Sequence, residues 1–213
     1  MTSSRLLVTG FTSFPGAPVN PSERAVARLA DRFGGDDRVA FHVAETNYQS
    51  AFADLLPVLE HHRPDLVLML GVDRHAPRLR LETRARNARD LHQPDNRGAR
   101  PASARIDEDG SETLPATWPL AAITAALARQ GTAFELSHDA GAYLCNFLFY
   151  SVLGHAARAD WSFGAGFIHT PLTEDALAAA GGTPEEGLAV LPEGALEDSL
   201  SAILETLLDG NPA

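Results

Sequence analysis

The sequence predicts one α/β domain over residues 1–213, a three-layer sandwich with a mostly parallel, twisted central sheet and helices on both faces. Three observations carry this. Short apolar runs, Arg5 to Phe11, Val39 to Val43 and Leu66 to Leu70, read as strands covered on both sides. Segments with helical spacing of apolar residues separate them, so strand, helix and strand alternate. A chain of 213 residues can bury one sizeable core without staples, and no internal repeat or linker divides it.

The elements follow in order. The first strand runs into a proline-rich loop, and Ser22 is expected to cap a helix that reaches Phe33 and stops at Gly34-Gly35. A strand over 39–43 and a helix over 48–61 lead to the Pro64-Asp65 turn and the Leu66 to Leu70 strand. From Pro77 the period changes to two: Leu79 and Leu81 alternate with Arg78, Arg80 and Glu82, which sets Glu82 on the side opposite the leucines. Residues 87–117 form a long polar stretch rich in Pro, Gly and Arg, of the kind that is functional or builds small hairpins of its own. Pro119 suits the first turn of a helix to Gln130. A brief strand over 134–136 feeds a helix over 142–157, whose Leu144, Leu148 and Val152 make an apolar row, and a strand over 164–168 ends at His169. Beyond Pro171 a surface loop with one helical turn near 175–180 precedes an amphipathic helix over 194–208.

Composition excludes several function classes. One cysteine rules out an intramolecular disulfide framework. The apolar runs are too short to span a bilayer, and the N-terminus lacks a signal-peptide pattern, so a soluble cytoplasmic protein is expected. A net charge of −11 argues against nucleic acid or an anionic membrane as partner. All 17 basic residues are arginine, nine of them between Arg74 and Arg105, whereas 170–213 carries nine acids and no arginine. That basic run reads first as a solvated face and second as an anion or carboxylate site. The absence of lysine removes Schiff-base chemistry, a pyridoxal phosphate anchor, a Walker-type loop and a Ser-Lys hydrolase. There is no Gly-x-Ser-x-Gly elbow.

The remaining candidate is Cys145, in the first turn of its helix, where free N–H groups and the helix dipole favour a thiolate. The ordinary alternative is a small buried apolar residue. A nucleophilic cysteine needs a base and a group that orients the base. His155 lies ten residues along the same helix, roughly 15 Å away. It cannot reach the sulfur. His61 and His62 close a helix, His42 and His75 lack distinguishing context, and His138 sits on the approach to the cysteine. His169 stands at the carboxyl end of a strand, the edge where sites collect in open α/β sheets, and the Cys145 helix starts at that edge if it too follows a parallel strand. Capping the strand with a water is the alternative for His169. Glu82 is preferred as the orienting acid, with a salt bridge to a nearby arginine as its alternative.

At these residues the chain resembles the pyroglutamyl peptidase I (pyrrolidone-carboxylate peptidase) family of cysteine peptidases over nearly its whole length. The matching stretches are Gly10-Phe11-Thr-Ser-Phe14, Asn20-Pro21-Ser22, Leu81-Glu82 with Asn87, Pro94-Asp95-Asn96-Arg97-Gly98 and Leu114-Pro115. Ser137-His-Asp-Ala-Gly-Ala-Tyr-Leu-Cys145-Asn146 and Phe167-Ile-His169-Thr-Pro171 are the most specific. The resemblance implies Cys145 as nucleophile, His169 as base and acid, and Glu82 as orienter. It also implies Phe11 and Phe14 as aromatic walls for a lactam ring, Asn20 as a pocket-ordering residue, and Tyr143 and Leu144 as substrate-contacting neighbours of the cysteine. The expected activity is removal of an N-terminal pyroglutamyl residue from a blocked peptide without metal or cofactor, often by a homotetramer. The chain departs from the family pattern at Ser13, Pro15, residues 72–76, Thr83 and His92-Gln93, which bear on pocket shape and substrate preference. Two other readings stand beside this one: a thiol hydrolase of a different blocked peptide or cyclic amide, and a non-catalytic binding module on the same scaffold.

Overall fold

The computed structural model describes residues 4–14, 18–182 and 189–209. The first half of the chain gives β1 (Leu6–Phe11), α1 (Pro21–Phe33), β2 (Val39–Ala44), α2 (Leu55–His62), β3 (Leu66–Val72) and β4 (Leu79–Glu82). A small pair, β5 (Arg84–Arg86) and β6 (Thr113–Pro115), precedes α3 (Leu120–Arg129), β7 (Phe134–Ser137), α4 (Leu144–Ala156) and β8 (Gly164–Thr170). The chain closes with β9 (Leu172–Thr173), α5 (Glu174–Ala179), β10 (Val190–Leu191) and α6 (Glu193–Leu208).

Six strands form the central sheet in the order β2-β1-β3-β8-β4-β7. The first four are parallel, β4 runs antiparallel to β8, and β7 is parallel to β4. The reversal has a simple cause. Only residues 73–78 join β3 to β4, too few for the crossover of a dozen or more residues that a parallel return requires. Alternate residues of each strand feed two separate cores. Leu6, Val8, Leu66, Leu68, Leu79, Leu81 and Ile168 pack under α1, α3 and α6. Leu7, Phe11, Val67, Met69, Ala165 and Phe167 pack under α2 and α4.

The sequence expectation fails at some boundaries. The first helix is capped by Asn20, not Ser22: the Asn20 side chain accepts from the Ser22 N–H, and Pro21 takes the first helical position. Ser22 instead accepts from the Phe11 N–H through its hydroxyl, tying helix to strand. The helix can lie this close because residue 10 is glycine; a Cβ there would sit 2.6 Å from the Ser22 carbonyl oxygen. The second helix starts at Leu55 and not at Tyr48, since Pro57 has no N–H to give the Ala53 carbonyl and residues 48–54 remain as turns. The 87–117 stretch builds its own structure: β6 pairs antiparallel with β5, and the buried Asn87 accepts from the Ile106 and Asp107 N–H groups while donating to the Asp107 and Gly110 carbonyls.

Candidate active site

Tyr143 is the extended residue before α4, so Cys145 is the second residue of that helix. Leu144, Leu148 and Val152 are buried and hold the helix against the sheet. Cys145 itself is only half-buried, which leaves its sulfur reachable. The strand before it runs the other way from the one assumed in the sequence argument. Because β7 is antiparallel to β8, residues 138–143 must carry the chain back to the carboxyl edge of β3 and β8. Gly141 makes that reversal at φ +82°, with its N–H donated to Asp139 Oδ1 at 2.9 Å. The edge is shared after all, by way of a loop and not of a parallel strand.

The other two groups come from neighbouring strands. Arg80 pairs opposite His169 and Glu82 opposite Phe167, so Glu82 and His169 are diagonal neighbours on one sheet face. It is the face opposite the leucines of β4, as the alternation predicts. His169 Nδ1 donates to Glu82 Oε1 at 2.9 Å, with Glu82 fully buried and His169 5% exposed. That bond fixes the ring, and Cys145 is the other group that acts on its charge. Burial opposes a charge on His169. Cys145, followed by the bond and charge of Glu82, outweighs burial and pushes the imidazole up to about 9. Among the described residues no arginine pairs with Glu82: Arg80 turns to Asp73 at 2.5 Å and to the Ser137 hydroxyl at 2.9 Å.

Three of the competing histidines have structural partners. His155 packs among Phe52, Trp161 and Phe163, His62 bonds the Leu6 carbonyl, and His138 bonds the Thr83 hydroxyl. The arginine-rich run is mostly clamps. Arg78, Arg80, Arg86, Arg97 and Arg105 meet carboxylates, while Arg84, Arg89 and Arg100 donate to backbone carbonyls. Among the described residues no group of three His, Cys, Asp or Glu is placed to hold a metal ion, and no helix is long and apolar enough to cross a membrane.

The remaining sequence candidates are spread around this edge. Phe11 ends β1 two residues past the Thr9–Met69 pair, on the face covered by α4, and is almost fully buried. Phe14 lines a hollow with Val19, Val72, Arg74, Leu172, Ala176 and Leu177. Asn20 is buried and donates to the Thr12 carbonyl at 3.1 Å, folding the first loop onto the start of α1. Tyr143 donates its hydroxyl to the Pro94 carbonyl at 3.0 Å, docking the 90–94 segment beside the cysteine. Leu144 spends its side chain in the core, so only its backbone faces the site. Sequence reasoning does not single out Phe167, whose ring lies 4.8 Å from that of His169, or Gly71, which pairs with His169 across β3 and β8. Period-two spacing in β8 is the signal for the first of these.

Comparison with known proteins agrees with this fold. A family model described as pyroglutamyl peptidase matches residues 4–202. The pyrrolidone-carboxylate peptidase of Vibrio vulnificus is 36% identical over 206 residues, spanning 96% of this chain and 95% of that protein. That of Brevibacillus brevis is 30% identical over 208 residues, spanning 96% and 97%. Among solved structures, pyroglutamyl peptidase I of Bacillus amyloliquefaciens superposes with a TM-score of 0.86 at 25% identity, covering 97% of this chain and 96% of that one. A variant of the pyrrolidone carboxyl peptidase of Pyrococcus furiosus gives 0.86 at 26%, covering 97% and 99%. With a matching fold, matching length and a family model that spans nearly all of the chain, this protein belongs to the pyroglutamyl peptidase family.

Proposed function

We propose that this protein is a cysteine exopeptidase that removes an N-terminal pyroglutamyl residue from peptides, with Cys145 as nucleophile, His169 as acid and base, and Glu82 as orienter. The observation that carries the reading is the buried Glu82 Oε1–His169 Nδ1 bond, with the half-buried Cys145 acting on the charge of the same imidazole. With Nδ1 committed to Glu82, Nε2 is left for the sulfur and for the substrate. A raised imidazole keeps its proton near neutral pH and pairs with a thiolate.

The chemistry then follows from these groups. The Cys145 thiolate attacks the carbonyl carbon between pyroglutamate and the next residue, and the carbonyl oxygen takes the negative charge. Backbone N–H groups at the start of α4 receive that oxyanion, a contribution of about 3–4 kcal/mol in comparable sites. His169 gives its proton to the departing amine as the C–N bond breaks, leaving a thioester. It next takes a proton from water, whose oxygen attacks the thioester carbonyl, and pyroglutamate leaves as Cys145 is restored. Phe11 and Phe14 wall the uncharged lactam, Asn20 holds the loop between them, and the Tyr143 and Leu144 backbone borders the scissile bond. The family resemblance further supports a homotetramer in the cytoplasm, which sedimentation of the purified chain and cell fractionation test.

Hydrolysis of a fluorogenic pyroglutamyl amide by the wild type and by Cys145→Ala tests the reaction. The expected result is turnover by the wild type and a loss of at least about 10³-fold in the variant. Equal rates in the two would end the cysteine mechanism.

A further inference from the structure

Gly71 closes the apolar run of β3, directly across from His169 in the pairing of β3 with β8. It is buried, and its φ is not positive, so its backbone conformation does not call for glycine. What it lacks is a side chain. A Cβ on residue 71 would lie 2.9 Å from Cys145 Sγ, and 2.7 and 2.9 Å from Cζ and Cε1 of Phe167. That phenylalanine in turn packs its ring against His169. Ordinary carbon contacts sit at about 3.5–4.0 Å, so a methyl group here would force both the sulfur and the ring to give by roughly 0.6–1.3 Å. The sulfur is the more movable of the two, because Phe167 is held at 0% exposure in the core and Cys145 is half open.

We propose that Gly71 is a positioning residue: the bare strand backbone is the floor on which the Cys145 sulfur rests at the level of His169. Every other residue type carries a Cβ and would lift the sulfur away from the imidazole. The inference rests on Cys145 being the nucleophile, and the readouts below separate the two ideas.

Gly71→Ala is the variant to make. A shift of about 1 Å at a reacting atom costs up to 10²-fold, so kcat should fall by roughly ten- to a hundredfold while KM stays within about threefold. Alkylation of Cys145 by iodoacetamide at pH 7 should slow as the thiol leaves its partner. Stability supplies the structural half of the test. The added methyl should lower Tm by roughly 3–10 °C. Introducing Cys145→Ala as well should return part of that loss, because the clash with the sulfur is gone and only the contact with Phe167 remains. Unchanged kcat and alkylation in Gly71→Ala would overturn the proposal. So would recovery of Tm by Phe167→Leu and not by Cys145→Ala, which would assign the space to the ring. If Gly71→Ala does not fold, folding of Gly71→Ala/Cys145→Ala supports the proposal and its failure overturns it. A wild type inactive on the pyroglutamyl amide would instead defeat the proposed function, while the Tm cycle would still report where the sulfur sits.

Discussion

Glu82 is an unusual place to put a charge. It is fully buried, one of its oxygens holds His169, and the other, Oε2, has no hydrogen-bond partner among the described residues. Such burial is costly unless the negative charge serves a neighbouring cation. Here the neighbour is His169, whose proton is retained up to about pH 9. The sign of the pH effect follows. As pH rises through about 9 the imidazolium is lost, and with it the acid for the leaving amine, so activity should fall along an alkaline limb near that value. In Glu82→Gln the volume is kept and the charge removed, which lowers the pH at which His169 gives up its proton. We expect kcat/KM to drop by about 10²–10⁴-fold and the alkaline limb to move to lower pH, read from a pH–rate profile. An unchanged limb would remove Glu82 from the row. Asp73 shows how the turn after β3 is held. Burial works against its charge, but the His75 N–H and the Arg80 guanidinium hold the carboxyl below the ordinary range. The turn after β3 is thus closed by an ion pair.

Helix α4 is fastened where it matters by one side chain. Asn146, beside the cysteine and fully buried, accepts from the Arg86 N–H at 2.8 Å and donates to the Arg86 and Ala88 carbonyls at 2.8 and 2.9 Å. Two of these bonds join the helix start to β5, the strand that follows Glu82, and the third to the residues just beyond it. Removing them leaves buried backbone groups unpaired, so Asn146→Ala should cost about 2–4 kcal/mol in urea denaturation. The ion pairs from α1 to α5 and α6 are a different matter. Arg24, Arg28 and Arg32 supply the missing counter-charges of the acidic C-terminal part, reaching Asp175, Glu193, Glu197 and Glu205. Their guanidiniums are nearly half exposed, and such pairs contribute little singly.

The molecule is held together by two cores that share one sheet, and the site sits where the carboxyl ends of β3 and β8 meet the start of α4. Leu68 lies mid-strand in β3, under the helices of one face and far along the strand from the site. Leu68→Ala should lower stability by about 2–5 kcal/mol with an unchanged urea m-value. It should leave kcat of the folded fraction near the wild-type value, and a large loss of kcat would mean that this core and the site are coupled.

Much of this was legible along the chain. Period-two alternation in Leu79 to Glu82 placed the carboxylate across from the leucines, apolar runs marked β1 and β3, and Cys145 was readable as a first-turn residue because local spacing needs no knowledge of distant segments. Capping at Asn20 and the late start of α2 lay within local reach too, through Asx capping and the missing N–H of Pro57. Strand direction did not. That β4 and β7 reverse, that loop 138–143 must bring the thiol back to His169, and that Gly71 stands beneath the sulfur are all relations between segments dozens of residues apart. Periodicity reports which face a side chain takes, but only packing of the whole sheet decides which faces and which ends come together.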